Sequence, residues 1–168
     1  MRTWWLSLLI ALLAGANQAS AQGGTIAGAE ITWFGVYTVA NPSEDKAGPG
    51  PEVRYSGVIP PTTNSEQVVL RRGIRFGFGY VLTGSPANGR ANVVAIFKYA
   101  SPGIPHALGG KATQHFTFAD CKIGGKGCVV GFVVDEPNDL PIGVWTFELH
   151  DEEIQKLLAE KRFTASRP

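Results

Sequence analysis

The chain has 168 residues, of which 44% are hydrophobic and 17% charged, and Lys plus Arg exceed Asp plus Glu by only 15 to 14. Such a length suits one domain able to close a real core, and so even a balance forces no basic face for nucleic acid and leaves no acidic tail. Low charge combined with 21 Gly, 11 Pro, and abundant Val and Phe points to a β-rich globular domain and away from disorder.

Residues 1–21 read as a secretory signal peptide. Arg2 supplies the positive start, residues 4–14 form an apolar run broken only by Ser7, and Ala19-Ser20-Ala21 is a small-residue cleavage site. The run is shorter than the roughly 20 residues that span a bilayer, so no transmembrane segment is expected after cleavage. The expected location is periplasmic or secreted.

Residues 22–29 are rich in Gly and Ala and are expected to be a flexible lead-in, with a single β-sandwich domain over 30–168. Residues 30–39 (EITWFGVYTV) carry the β-branched and aromatic residues of a first strand. Asn41-Pro42 and the Gly-Pro repeats at 48–51 make residues 40–51 a loop. Short strands are expected at 52–58 and 66–70, separated by Pro60-Pro61, which have no N–H to give a ladder.

Residues 74–83 alternate strictly. Phe76, Phe78, Tyr80 and Leu82 share one face, while Arg75, Gly77, Gly79 and Val81 share the other. Two glycines on one face leave a shallow groove. The expectation is that a bulky side chain, Trp33 or Trp145, lies over them; the competing reading is a ligand slot. Residues 91–100 and 128–134 are apolar on nearly both faces and read as central strands. In residues 112–119 the alternation is taken to place Phe116 and Phe118 inward and Thr113, His115 and Thr117 outward.

Residues 143–150 alternate again, with Gly143, Trp145, Phe147 and Leu149 on one side and Val144, Thr146, Glu148 and His150 on the other. Trp145 and Phe147 are taken as the centre of the core. The chain end has two readings. Asp151-Glu152-Glu153 resembles a helix start, but a chain leaving a sandwich strand returns most easily as a hairpin. A turn at 151–155 and a last strand at 156–165 are expected, with a bulge because Leu158 and Phe163 differ in parity. About eight strands with regular turn signals make an all-β, immunoglobulin-like antiparallel sandwich.

The two cysteines, Cys121 and Cys128, are the only ones in the chain. In an exported protein a close pair reads as a disulfide, and closing so short a loop contributes on the order of 2–3 kcal/mol. The spacing is not that of a redox motif, and no further ligands complete a zinc site. Arg71, Arg72 and Arg75 read as exposed surface or a small anion patch. Glu148 and His150, with His115, Arg75, Gly77 and Gly79, are the candidate binding surface; a plain wet sheet face is the competing reading. No nucleophile elbow, dinucleotide loop or helical metal pair occurs, so no catalytic, metal or cofactor-binding residue is assigned.

Several stretches resemble a bacterial exported family, the domain of unknown function numbered thirty-eight fifty-nine. They are Phe34-Gly35-Val36-Tyr37, the Phe-Gly-Phe segment within 73–82, and Gly143-x-Trp145-x-Phe147 followed by Leu158-Ala159-Glu160-Lys161-x-Phe163. The resemblance implies a small immunoglobulin-like sandwich and brings no catalytic residues. The resulting expectation is a non-catalytic binding or accessory module of the bacterial envelope. It would recognise a protein or small-molecule ligand through a sheet face or an edge, as in strand addition. The alternative is a metal-binding protein or small hydrolase that uses the exposed Glu/His face.

Overall fold

The computed structural model describes residues 23–40, 50–54, 57–106, 109–125 and 128–168. The stretch expected to be a signal peptide, most of the loop expected at 40–51, and Lys126 and Gly127 of the cysteine loop lie outside the described residues.

Alternation dominates the chain, and β-strands dominate the structure. The strands are β1 (Thr25–Val39), β2 (Gly50–Arg54), β3 (Val58–Ile59), β4 (Gln67–Val69), β5 (Arg75–Ser85), β6 (Arg90–Lys98), β7 (Ile104–Pro105), β8 (Lys111–Ala112), β9 (Gln114–Lys122), β10 (Cys128–Val133), β11 (Gly143–Asp151) and β12 (Leu157–Ser166). Among the described residues the other regular element is a 3-10 turn at Pro137–Asp139. One five-stranded sheet runs β2-β10-β5-β1-β3 and the other β4-β12-β11-β6-β9, while β7 and β8 form a small ribbon. Pairing is antiparallel throughout the two large sheets except between β12 and β4.

The core lies between these sheets and follows the expected parity. Phe76, Phe78, Tyr80 and Leu82 of β5 are at most 1% exposed, and Trp145, Phe147 and Leu149 of β11 are fully buried. The Trp145 ring meets Tyr99, Phe132 and Phe76 edge-on, with centroids 4.9, 5.1 and 5.6 Å away. Its indole N–H donates to the Pro141 carbonyl at 2.9 Å, so the one polar atom of the ring is satisfied inside the core. All six residues of β10 are buried, as the doubly apolar run required.

The Cys121–Cys128 disulfide is present. Because β9 and β10 belong to different sheets, it staples the layers together and brackets the loop that crosses between them. The hairpin at the chain end is also present: residues 152–154 turn, and β11 pairs with β12 from Gly143↔Ala165 to His150↔Leu157. Leu149 pairs with Ala159 and His150 with Leu157, leaving Leu158 as the extra residue of a bulge.

Two expectations are corrected. The first strand begins at Thr25 rather than residue 30, so most of the stretch read as a lead-in is strand. Its Gly- and Ala-rich start pairs with Leu82–Ser85 of β5 through a register shift at Ala27; cross-strand pairing outweighs weak local propensity. Phe116 and Phe118 point outward, 48% and 66% exposed, while Cys121 is fully buried. The disulfide fixes Cys121 inward. With a period of two, Ala119, Thr117 and His115 take its side of β9 and the two phenylalanines take the other.

Candidate functional site

The outer faces of the two sheets differ. On the β5 face the expected groove is filled. An ideal Cβ built on Gly79 would fall 2.2 Å from Trp33 Nε1, so the indole occupies the space that a ligand would need. Trp33 was one of the two rings expected there. Gly77 serves a different purpose: its Cβ would fall 2.1 Å from the Val130 carbonyl oxygen, so its absence lets β5 and β10 approach closely. Gly131 on β10 lies under the Tyr37 ring, and Tyr37 packs edge-on against Trp33 with centroids 5.4 Å apart.

Beneath these rings the Tyr37 hydroxyl donates to Glu52, and Arg75 Nε lies 3.5 Å from the same carboxylate. Glu52 is 6% exposed. Arg75 is therefore a nearly buried ion-pair member, not part of an exposed anion patch, and of its expected companions Arg72 is bound to Asp135 and Glu136 at 3.1 and 2.7 Å. Hydrogen bonding to Asp135 and the charges of both acids hold the Arg72 guanidinium above its ordinary pKa.

The β11 face carries a different arrangement. Glu148 Oε2 accepts from His150 Nε2 at 2.9 Å, and Lys98 Nζ donates to Glu148 Oε1. His150 Nδ1 faces the Gln155 carbonyl at 3.3 Å. Register explains the meeting: on β11, residues 148 and 150 share a face, and Thr146 pairs with Lys98 on β6. Burial pushes the Glu148 pKa up, but hydrogen bonds and charges from Lys98 and His150 outweigh this and hold it below the ordinary glutamate value. Although expected to be wet, Glu148 is only 7% exposed.

Beside this network the face turns apolar. Glu148 pairs with Ile96 and His150 with Val94 on β6, and these in turn pair with Phe116 and Phe118 on β9. The result is a row of aliphatic and aromatic side chains running from an ionic triad, in which Glu148 is buried and Lys98 half exposed, to the sheet edge. His115 lies on the opposite side of β9, so it does not join Glu148 and His150. Arg75, Gly77 and Gly79 belong to the other sheet altogether. Among the described residues no three His, Cys, Asp or Glu side chains gather as a metal cage. The sequence reading missed Phe116, Phe118, Val94, Ile96 and Lys98; the inward parity that a disulfide imposes on Cys121 was the signal that would have turned the phenylalanines outward.

A cleft of about 450 Å³ opens at one end of the sandwich, lined by residues 23–26, 90–92 and 151–154. Two of its charged groups are engaged: Asp151 accepts from the Glu153 and Ile154 backbone amides at 2.9 and 3.3 Å, and Arg90 pairs with Asp120 at 2.5 Å. These are the bonds of a turn and of a surface pair, not of a reactive centre.

With this geometry in view, comparison with solved structures shows the fold. An immunoglobulin-like protein from Pseudomonas aeruginosa superposes with a TM-score of 0.57 at 19% identity, covering 88% of this chain and 99% of that one. The architecture is an immunoglobulin-like β-sandwich. A β-glucosidase from Kluyveromyces marxianus matches over 84% of this chain and 14% of its own, with a TM-score of 0.36 and 11% identity. A β-D-glucoside glucohydrolase from Trichoderma reesei matches over 82% and 19%, at 0.35 and 13%. Overlaps that loose carry no argument about activity. No family model and no curated protein matches the chain. Among the described residues no helix is long and apolar enough to cross a membrane.

Proposed function

We propose that the chain is an exported, non-catalytic binding or accessory module of the bacterial envelope that meets its partner on the outer face of β11, β6 and β9. The observation that carries this reading is the outward placement of Phe116 and Phe118 beside the Lys98–Glu148–His150 triad. Large aromatic surface next to a satisfied polar cluster is the composition of a contact site. The signal-peptide pattern and the disulfide support export. Glu148 and His150 are in contact, but the carboxylate is held by Lys98 and both cysteines are bridged, which favours a contact surface over a hydrolytic centre.

Site-directed photocrosslinking in intact cells tests this. A photoreactive residue at position 118 should yield an adduct with a non-identical envelope component, and the same group at Thr38, on the other sheet, should not. The adduct should disappear when Phe116 and Ile96 are changed to Ser. Equal labelling from both positions, or no foreign adduct from position 118, would overturn the assignment.

A further inference from the structure

We infer that the cleft at the end of the sandwich is the seat of the mature amino-terminus. Cleavage after Ala21 frees the Gln22 α-ammonium beside the carboxylates of Asp151, Glu152 and Glu153, which hold it. This rests on the signal-peptide reading behind the proposed export, and it assigns to the cleft a ligand that the chain itself supplies.

The start of the described chain is fixed against this cleft. Gly24 N donates to the Arg90 carbonyl at 2.7 Å, and Glu152 N donates to the Asn92 carbonyl at 3.3 Å. Carbonyls two residues apart on a strand point the same way. Gly24 therefore takes up, along β6, the line that β11 leaves after Asp151↔Val93. Thr25 then enters the other sheet opposite Ser85. Residues 23–26 form one wall of the cleft and residues 151–154 another. Consecutive Cα atoms are about 3.8 Å apart, so the amine of residue 22 lies one residue from that wall.

The charges around the cleft are unbalanced. Asp151 continues the inward parity of Trp145, Phe147 and Leu149 and is 8% exposed, so a carboxylate closes this end of the core. Its Oδ1 accepts from the Glu153 and Ile154 amides at 2.9 and 3.3 Å, and its Oδ2 has no partner among the described residues. Glu152 and Glu153 follow it in the turn. Among the described residues no cation pairs with any of the three. Arg90 on β6 is bound to Asp120 of β9, and Lys156, just past the turn, donates to the Ala27 carbonyl at 3.2 Å.

A carboxylate taken out of water is costly unless a cation or donors meet it. An α-amino group has an ordinary pKa of about 7.7–8.0, so at neutral pH it is an ammonium with three donors. Such a group suits acceptors spread along one turn, and these three acids do not gather as a metal cage. Before cleavage the nitrogen of Gln22 is an uncharged peptide amide. Removal of the leader therefore creates the positive charge at the one place in the chain that adjoins three unpaired acids, and the new terminus ties the start of β1 to the β11–β12 turn.

Intact mass and N-terminal sequencing of the exported chain come first, and an open Gln22 terminus is expected. A chain that starts at another residue, or one isolated as the terminal lactam and lighter by one ammonia, has no Gln22 ammonium; it overturns the inference and leaves export in place. A chain that keeps Met1 removes the export reading as well. NMR titration of the α-amino group in the mature chain should give a midpoint above the ordinary value of about 7.7–8.0. That midpoint should fall back in Glu152→Gln with Glu153→Gln, and in Asp151→Asn, which keeps an oxygen for the turn amides. Glutaminyl cyclase supplies a second readout. The amine nitrogen bonds to the Gln22 side-chain carbonyl carbon, the side-chain amide leaves as ammonia, and the lactam carries no charge. Cyclisation should lower the melting temperature of the wild type more than that of the double glutamine variant. Folding raises the pKa of the held ammonium, so its stabilisation is full below the unfolded value and is lost as pH rises through the folded one; the effect of cyclisation should vanish over the same range. An ordinary midpoint in the wild type, or equal losses in wild type and variant, would overturn the inference. The wild-type midpoint decides the matter by itself should a variant fail to fold.

Discussion

The Trp33 indole takes the place where a Gly79 side chain would begin, with Nε1 2.2 Å from an ideal Cβ on that residue. A strand glycine is thus the seat of a tryptophan on the neighbouring strand, and the pair closes the outer face of β5. Gly79→Ala should destabilise the fold by about 1–3 kcal/mol through overpacking. Urea unfolding would read this, and a cost below about 0.5 kcal/mol would mean that the indole swings away freely.

Trp145 is the centre of the core by both packing and hydrogen bonding. It is fully buried among Tyr99, Phe132 and Phe76. Trp145→Ala is expected to cost about 3–5 kcal/mol, enough to unfold a marginal domain. A cost under about 1 kcal/mol would contradict the core placement.

The disulfide should matter by a smaller amount. Changing Cys121 and Cys128 together to Ser removes a crosslink over a sequence separation of 7, and the expected loss is about 2–3 kcal/mol in denaturant unfolding. Thiol titration of the denatured, unreduced protein should find no free thiol; two reactive thiols would show that the bridge does not form.

Glu148 gives the fold a defined acid response. Its folded-state pKa lies below the ordinary value, because Lys98 and His150 favour the carboxylate more than burial opposes it. A carboxylate with a depressed folded pKa stabilises the fold above its unfolded pKa, and that stability is lost as pH falls through the folded value. Glu148→Gln should therefore melt below the wild type at pH 7, with the gap closing below about pH 4. A gap that widens in acid would reverse the assigned direction.

The Glu/His face should not depend on metal. A chelator is expected to leave the melting temperature unchanged, since ligand removal lowers stability only when a site is filled. A clear downward shift, restored by one divalent cation, would revive the metal-binding alternative at Glu148 and His150.

Where one face of a strand was plainly apolar, local pattern sufficed. The β5 and β11 alternations put Phe76, Phe78, Trp145 and Phe147 in the core, and the parity clash between Leu158 and Phe163 located a real bulge. Pattern failed where both faces carry large side chains or where propensity is weak. In β9, His115 and Thr117 read as the polar face and the phenylalanines as the dry one, but the bridge at Cys121 turns the phenylalanines outward, while His115 stays exposed near the strand end on the other side. In β1, Thr25–Ala29 reads as loose chain, and only pairing with β5 makes it strand.

The sequence by itself determined the two-residue beat, the turns and the cysteine pair, because successive side chains in a strand alternate between its two faces whatever it packs against. Which strands lie side by side depends on contacts between residues far apart. Only the tertiary structure therefore decided that Lys98 reaches Glu148, that Trp33 covers Gly79, and that two phenylalanines are left exposed on the outer face.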